Sequence, residues 1–209
     1  MRAYHFLQYD MTTSSGDEPA WTVGETRTIP ANRKIIPCEY GYHASPTLFD
    51  ALTYAPGSIA CVVELDGDVT PHGNPPDKYA ARSRTLIAAV DLTVALRLFA
   101  ADCAEKVLPI FEKERPNDDR PRKAIEAARA YAGGEIDAAA VAAAWAAGRD
   151  AAMAAGRAAK RDAARDAARA AARAAAMDAA RAWDAAWAAE RAWQRQHFNA
   201  TVLPLLTAE

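Results

Sequence analysis

Between Cys38 and Ser45 the chain gathers a thiol, a carboxylate, two phenols, an imidazole and a hydroxyl in the run Cys38-Glu39-Tyr40-Gly41-Tyr42-His43-Ala44-Ser45. Cys38 and His43 could act as nucleophile and base or as half of a metal site, with Cys61 and His72 as the further ligands nearby. Spacing alone does not bring them together, and His43 also reads as a packed strand residue. The chain has no GxxxxGK[ST] phosphate loop, GxSxG elbow, HExxH helix or paired CxxC, so no catalytic residue, metal set or cofactor is assigned.

A binding site is the better use of these side chains. Lys78, Arg82 and Arg84 supply cations, Tyr42, His43 and Trp21 supply stacking surfaces, and His5 adds a second imidazole. An anionic aromatic ligand, such as a nucleotide-derived signal, needs that combination. Solvated charge on a strand surface is the competing reading. A second candidate surface lies near the C-terminus, where Arg157, Arg161, Arg165, Arg169 and Arg173 recur every fourth residue. Trp183, Trp187 and Phe198 form a helical stripe there that reads as core or as a contact between copies of the chain. The arginine row is either a solvated face or the surface that meets an acidic protein partner.

The elements that would position these residues fall into two halves. Residues 1–90 carry short apolar and aromatic runs separated by Gly, Pro and Ser, the pattern of strands and turns. Strands are expected at Arg2 to Tyr9, at Trp21 to Val23 with Thr26 to Ile29, at Ser58 to Leu65 with a turn at Asp66-Gly67, and at Tyr79 to Val90, which puts Arg82 and Arg84 on one face. Pro71 to Asp77 reads as a loop. One short helix is expected from Pro46 to Leu52, with Ser45 as its N-cap.

From Asp91 onward the spacing of apolar residues turns helical. Leu92, Ala95, Leu96, Phe99, Cys103, Val107, Ile110 and Phe111 mark one buried face, with a kink or break near Lys106 ahead of Pro109. A second helix starts at Asp119-Arg120-Pro121 and stops at Gly133-Gly134. Asp137 then caps a tract running to Trp193 in which 32 of 57 residues are alanine. Alanine loses no side-chain entropy in a helix, so this tract is helical by intrinsic preference, with a turn or hinge favoured at Gly148 or Gly156. Beyond Gly156 the helix should run to about Asn199, with Pro204 ending it. Each alanine buries little surface, so a helix of this length, roughly 65 Å at ~1.5 Å per residue, must pack along a partner helix of its own chain or of a second copy.

The expected architecture is therefore α+β, with a small β-rich domain over 1–90 holding one short helix and an Ala-rich helical bundle over 91–209. The net charge is −2, which argues against bulk nucleic-acid binding. Asp102 to Asp119 is locally acidic, and the simplest expectation is that it faces the basic row. Three widely spaced cysteines suit reduced thiols in a cytoplasm better than a secreted disulfide framework. The alanine tract is interrupted by charge too often to supply the ~20 apolar residues of a membrane span.

Two stretches resemble known families. Gly41-Tyr42-His43-Ala44-Ser45, Phe49-Asp50-Ala51-Leu52 and the strand from Ser58 to Asp68 look like an uncharacterised domain common in phage and prophage proteins, over residues 2 to 90. The same stretch is distantly similar to ADP-ribosyltransferase-like folds, which place an aromatic-His pair on a first strand, as at Tyr4-His5, and a Gly-aromatic-x-x-Ser strand before a short helix. That likeness implies a transferase acting on NAD, with His5 and His43 as polar handles. Asp102 to Pro109, Phe111-Glu112, Arg115-Pro116, Arg120-Pro121-Arg122, Ala124 to Arg129 and Gly134-Glu135-Ile136 are similar to the opening of an Ala-rich helical family of putative immunity proteins, over residues 98 to 200. This second resemblance implies a non-enzymatic protein-binding role, in which the chain neutralises a toxin or defence component of bacterial or phage origin.

Overall fold

Ile59 to Val63 are five successive residues with almost no exposure, in a strand that must therefore be covered on both faces and flanked on both edges. A computed structural model describes residues 1–14, 18–140, 142–144, 146–150, 153 and 188–207. The strand in question, β4 (Ile59–Asp66), lies between β1 (Arg2–Leu7) and β7 (Ser83–Asp91), and β2 (Thr26–Thr28) completes an antiparallel sheet in the order β1-β4-β7-β2. A second antiparallel sheet has the order β3-β6-β5, from β3 (Tyr42–Ala44), β5 (Thr70–Gly73) and β6 (Pro76–Ala81). A bridge between Tyr4 and Ser45 stitches β1 to the end of β3, with mutual backbone hydrogen bonds of 2.8 and 2.9 Å.

The core between these strands is built from Ala3, Leu7, Trp21, Ala44, Cys61, Val63, Leu65, Ala81 and Leu86. Each fully buried large aliphatic side chain in it contributes roughly 1.5–3 kcal/mol. Small Ala44 and Ala81, on β3 and β6 of the second sheet, leave room for the larger side chains of the first sheet to pack against it.

The architecture is α+β as expected, with helices following the β-rich region. Several local expectations are corrected. Trp21 to Val23 is not a strand, because Gly24 at φ +88° turns the chain before pairing begins at Thr26. Pro71 to Asp77 is not a loop: β5 and β6 form a hairpin turning at Asn74-Pro75. Tyr79 to Val90 is two strands, since the chain leaves the second sheet at Ala81 and enters the first at Ser83. Arg82 stands at that switch, so Arg82 and Arg84 line different recesses. The short helix, α1 (Leu48–Leu52), starts two residues late, and its N-cap is Thr47, whose hydroxyl accepts from the Asp50 N–H at 3.1 Å. Ser45 is buried and spent on the bridge to Tyr4.

Helix α2 (Thr93–Glu114) opens where the Asp91 carboxylate accepts from the Thr93 N–H at 2.8 Å, and it runs without a break through Pro109. Helix α3 (Arg120–Ala132) has Pro121 in its first turn and ends at Gly133, with Gly134 at φ +77°. Its Ile125 and Ala128 pack on Ala101 and Leu108 of α2. The Asp137 carboxylate accepts from the Ala140 N–H at 2.8 Å, capping the helical residues that follow. Gly148 is not a hinge. It is helical, and a Cβ there would sit 3.0 Å from the Ala124 Cβ, so this glycine lets a helix pass close to α3. Residues 188–201 are helical, the helix breaks at Val202, and α4 (Leu203–Thr207) carries Pro204 in its first turn. The stretch around Gly156, and most of the tract between, lies outside the described residues.

Backbone contacts divide the chain into one compact unit of Met1–Leu96 with Phe198–Glu209 and another of Arg97–His197. In the first, α4 packs on β4 and β7, and Phe198 meets Phe49 edge-on at 5.6 Å. No helix among the described residues is long and apolar enough to cross a membrane.

The cap of α1 gives a direct check. Thr47→Ala should cost about 1 kcal/mol, read as a lower midpoint in chemical denaturation, and an unmoved midpoint would mean that the helix starts elsewhere.

Candidate functional site

The sheet switch that separates Arg82 from Arg84 also opens a recess. Gly41, at φ +149° and with only 3.1 Å from a Cβ position to the Ala80 and Ile35 side chains, draws the segment before β3 tightly over β6. The result is a cavity of about 620 Å³ in the first unit, bounded by β1 at Tyr4 and His5, by the segment Glu39 to Ser45, by Tyr54 after α1, and by Lys78 and Arg84.

Arg84 forms its floor. Only 3% exposed, it donates to the His43 carbonyl at 3.1 Å, and its guanidinium carbon lies 4.3 Å from the Trp21 ring centre and 5.3 Å from that of Tyr42. Trp21 is itself an edge-on neighbour of Tyr42 at 5.7 Å. It does not line the cavity but stands behind Arg84 as a platform, with Arg27 also over its ring at 4.1 Å. The two arginines differ in one respect. Arg27 has a carboxylate partner, with Nε on Glu25 Oε1 at 2.6 Å and Glu18 at 3.8 Å. Among the described residues no carboxylate comes within ion-pair distance of Arg84. Burial accordingly pulls the Arg84 guanidinium down to about 10, with Glu18 the largest opposing attraction.

The two imidazoles at the cavity are held neutral. Burial pushes the His5 imidazole well below its ordinary value, and the neighbouring Arg84 and His43 lower it further. Its Nε2 is sealed from solvent and has no hydrogen-bond partner among the described residues. Burial first, then Lys78 and Arg84, lowers His43, whose Nε2 accepts from the Cys38 N–H at 3.0 Å. Cys38 and His43 are thus brought together, but through a backbone amide and not a thiol. Among the described residues no three His, Cys, Asp or Glu side chains are placed to hold a metal ion.

Lys78 stands at the rim with its Nζ 3.9 Å from the Tyr54 ring centre, and the Tyr54 hydroxyl donates to Asp77 Oδ2 at 2.7 Å. That bond to a carboxylate, with some burial, pushes the Tyr54 phenol up to about 12. Arg82 lies elsewhere, pairing with Asp68 and donating to the Pro30 and Arg33 carbonyls at 2.7 and 3.1 Å. Tyr54 and Glu18 were not singled out by sequence. Both lie outside the strands, and only the fold brings them to the cavity beside Tyr42.

The second unit has a charged cluster of its own. Asp102 accepts from Arg129 at 2.9 Å and lies 2.7 Å from His197 Nε2, while Arg129 also reaches Glu105 and Arg122 reaches Glu112. His197 stacks on Trp193 at 4.9 Å, and the Lys106 ammonium lies 4.2 Å from the Trp193 ring centre. The acidic stretch of α2 is therefore engaged by α3, whereas the expected facing row Arg157, Arg161, Arg165, Arg169 and Arg173, like Trp183 and Trp187, lies outside the described residues.

Comparison with known families separates the two halves. Residues 93–182 match the family described as Imm-5 like putative immunity protein. Residues 1–98 match a domain of unknown function, DUF7666. No curated protein and no solved structure matches the chain.

The Tyr54–Asp77 contact can be read spectroscopically. In difference titration against Tyr54→Phe, the Tyr54 phenol should ionise near pH 12, and in Asp77→Asn it should move back toward the ordinary phenol value. A Tyr54 that ionises with the exposed tyrosines would show that the carboxylate does not hold it.

Proposed function

We propose that this chain is a non-enzymatic binding protein of immunity type, of bacterial or phage origin, that neutralises a toxin or a component of a defence system by occupying its surface. The observation that carries this reading is the match of residues 93–182 to an immunity-protein family. Physical chemistry is consistent with it. The sequence predicts a helical surface of small residues with like charges every fourth position, and such a surface would offer long, shallow contact and electrostatic steering, which suits a protein partner better than a small substrate.

The partner surface in this reading is the row Arg157, Arg161, Arg165, Arg169 and Arg173 with Trp183 and Trp187, and the partner presents an acidic face. A second reading makes the chain a binder of a nucleotide-derived small molecule, and the cavity floored by Arg84 favours it. NAD transfer rests only on the likeness around Tyr4-His5 and Gly41 to Ser45, and no group is assigned a reacting role.

Affinity capture with the full chain from its own source cells, followed by reconstitution with the recovered protein, tests the first reading. The complex should be saturable and should weaken as salt is raised. The combined change Arg161→Glu, Arg165→Glu and Arg169→Glu should lower affinity by about tenfold or more while leaving the far-ultraviolet circular dichroism unchanged. A folded chain that captures no protein removes the reading, and a complex indifferent to the charge reversal removes the arginine row from it.

A further inference from the structure

A guanidinium in a protein interior needs a counter-charge or a full set of acceptors, because desolvating an ion without either costs several kcal/mol. Among the described residues Arg84 has neither. One of its five N–H donors reaches an acceptor there, the His43 carbonyl. Glu18 is the carboxylate whose attraction it feels most, yet Glu18 Oε2 accepts from the Trp21 Nε1–H and the Thr13 hydroxyl, and Oε1 lies 3.8 Å from Arg27. Glu39, also at the cavity, is exposed. The same cavity holds a second unsatisfied group, His5 Nε2, which is sealed from solvent without a partner.

These two deficits lie in one recess and share a remedy. We propose that Arg84 and His5 form the oxyanion subsite of a small-ligand site, receiving the phosphate or carboxylate of a compact organic anion whose body lies against Tyr4, Tyr40 and Tyr42. The proposal rests on the second reading above only in placing a small ligand in this cavity. The guanidinium, held 4.3 Å from the Trp21 ring centre, carries a planar fork of N–H donors that matches a two-oxygen anion. The His5 imidazole, kept neutral, offers one donor or one acceptor and so takes either a protonated or a bare oxygen. A cavity of about 620 Å³ is far larger than inorganic phosphate fills and falls within the range of small-molecule sites, roughly 300–1,000 Å³. The phenol rings along it give a planar body something to stack on. Lys78 at the rim adds a second cation for a ligand with more than one charge.

Calorimetric titration of the full chain with inorganic phosphate, adenosine monophosphate, adenosine and benzoate, together with thermal melts, tests this. Expected are binding of at least one of the anions and no tighter binding of adenosine than of its monophosphate. Arg84→Met should lower anion affinity by about tenfold or more, and its melting temperature in the absence of ligand should hold or rise, since an unneutralised buried charge has been removed. Arg84→Lys, which keeps the charge and loses the fork, should retain only part of the affinity. An anion that binds Arg84→Met as well as the parent chain overturns the subsite, even if a nucleotide reading of the cavity survives. Benzoate or phosphate binding through Arg84 with no nucleotide binding upholds the subsite and removes the nucleotide reading. Failure of every anion to bind the folded parent chain overturns both, as does a fall in the unliganded melting temperature of Arg84→Met with anion affinity unchanged.

Discussion

A single charged side chain sets the terms for the first half of this molecule. Strand pairing puts Arg84 of β7 directly opposite Arg27 of β2, and like charges in that relation repel. The chain answers with an indole and two carboxylates. Trp21 offers its ring to both guanidinium groups, and Glu25 and Glu18 neutralise the outer one. Cation–π contacts of this kind are worth on the order of 0.5–2 kcal/mol each, the more so when water is excluded. They position Arg84 without neutralising it. The loop before β2 is therefore not free to drift: the Pro19 and Ala20 carbonyls accept from Arg27, which fixes Trp21 and through it the floor of the cavity.

The second unit uses a different solution to the same problem of bringing elements together. Where α2 meets α3 the buried side chains are Ala101, Leu108, Ile125 and Ala128, little apolar area for two helices, and Gly148 lets a further helix approach α3 to within a missing methyl group. Close backbone approach raises the density of dispersion contacts where the transfer term is small. Around this core, Arg129 and Arg122 of α3 engage the carboxylates of α2. Exposed pairs of this sort contribute about 0–1 kcal/mol each. Their effect is to fix which faces of two nearly featureless helices meet, a job that small side chains do poorly.

How far the sequence foretold this depends on the kind of signal. The α+β order, the cap at Asp137, the start of α3 at Pro121 and its stop at Gly133-Gly134 all follow from local backbone chemistry. Pro109 predicts a break and does not give one: the one lost hydrogen bond is absorbed within a helix of 22 residues. Ser45 and Thr47 were both able to cap α1. The choice went to Thr47 because Ser45 was already committed to Tyr4, a pairing 41 residues apart in the chain. Arg82 and Arg84 look alike in sequence, alternating along one apparent strand. Only the change of sheet between Ala81 and Ser83 makes one a surface clamp and the other a buried cation. Long-range pairing is what a periodicity argument cannot see, and the cavity is made almost wholly of it.

The two family matches meet within residues 93–98, the first turns of α2. There is no Gly/Ser/Pro linker there. Leu92 is buried, its N–H donates to the Ser58 carbonyl, and the Ser58 hydroxyl reaches both Asp91 and Thr93. A strand passes straight into a helix, and the cap of that helix belongs to the sheet. The β-rich half therefore includes the start of the helix that the other half requires, and cutting between Asp91 and Thr93 would cost α2 its first N–H acceptor. The boundary written in the families and the boundary set by hydrogen bonds differ by a few residues, and any separation of the halves has to follow the hydrogen bonds.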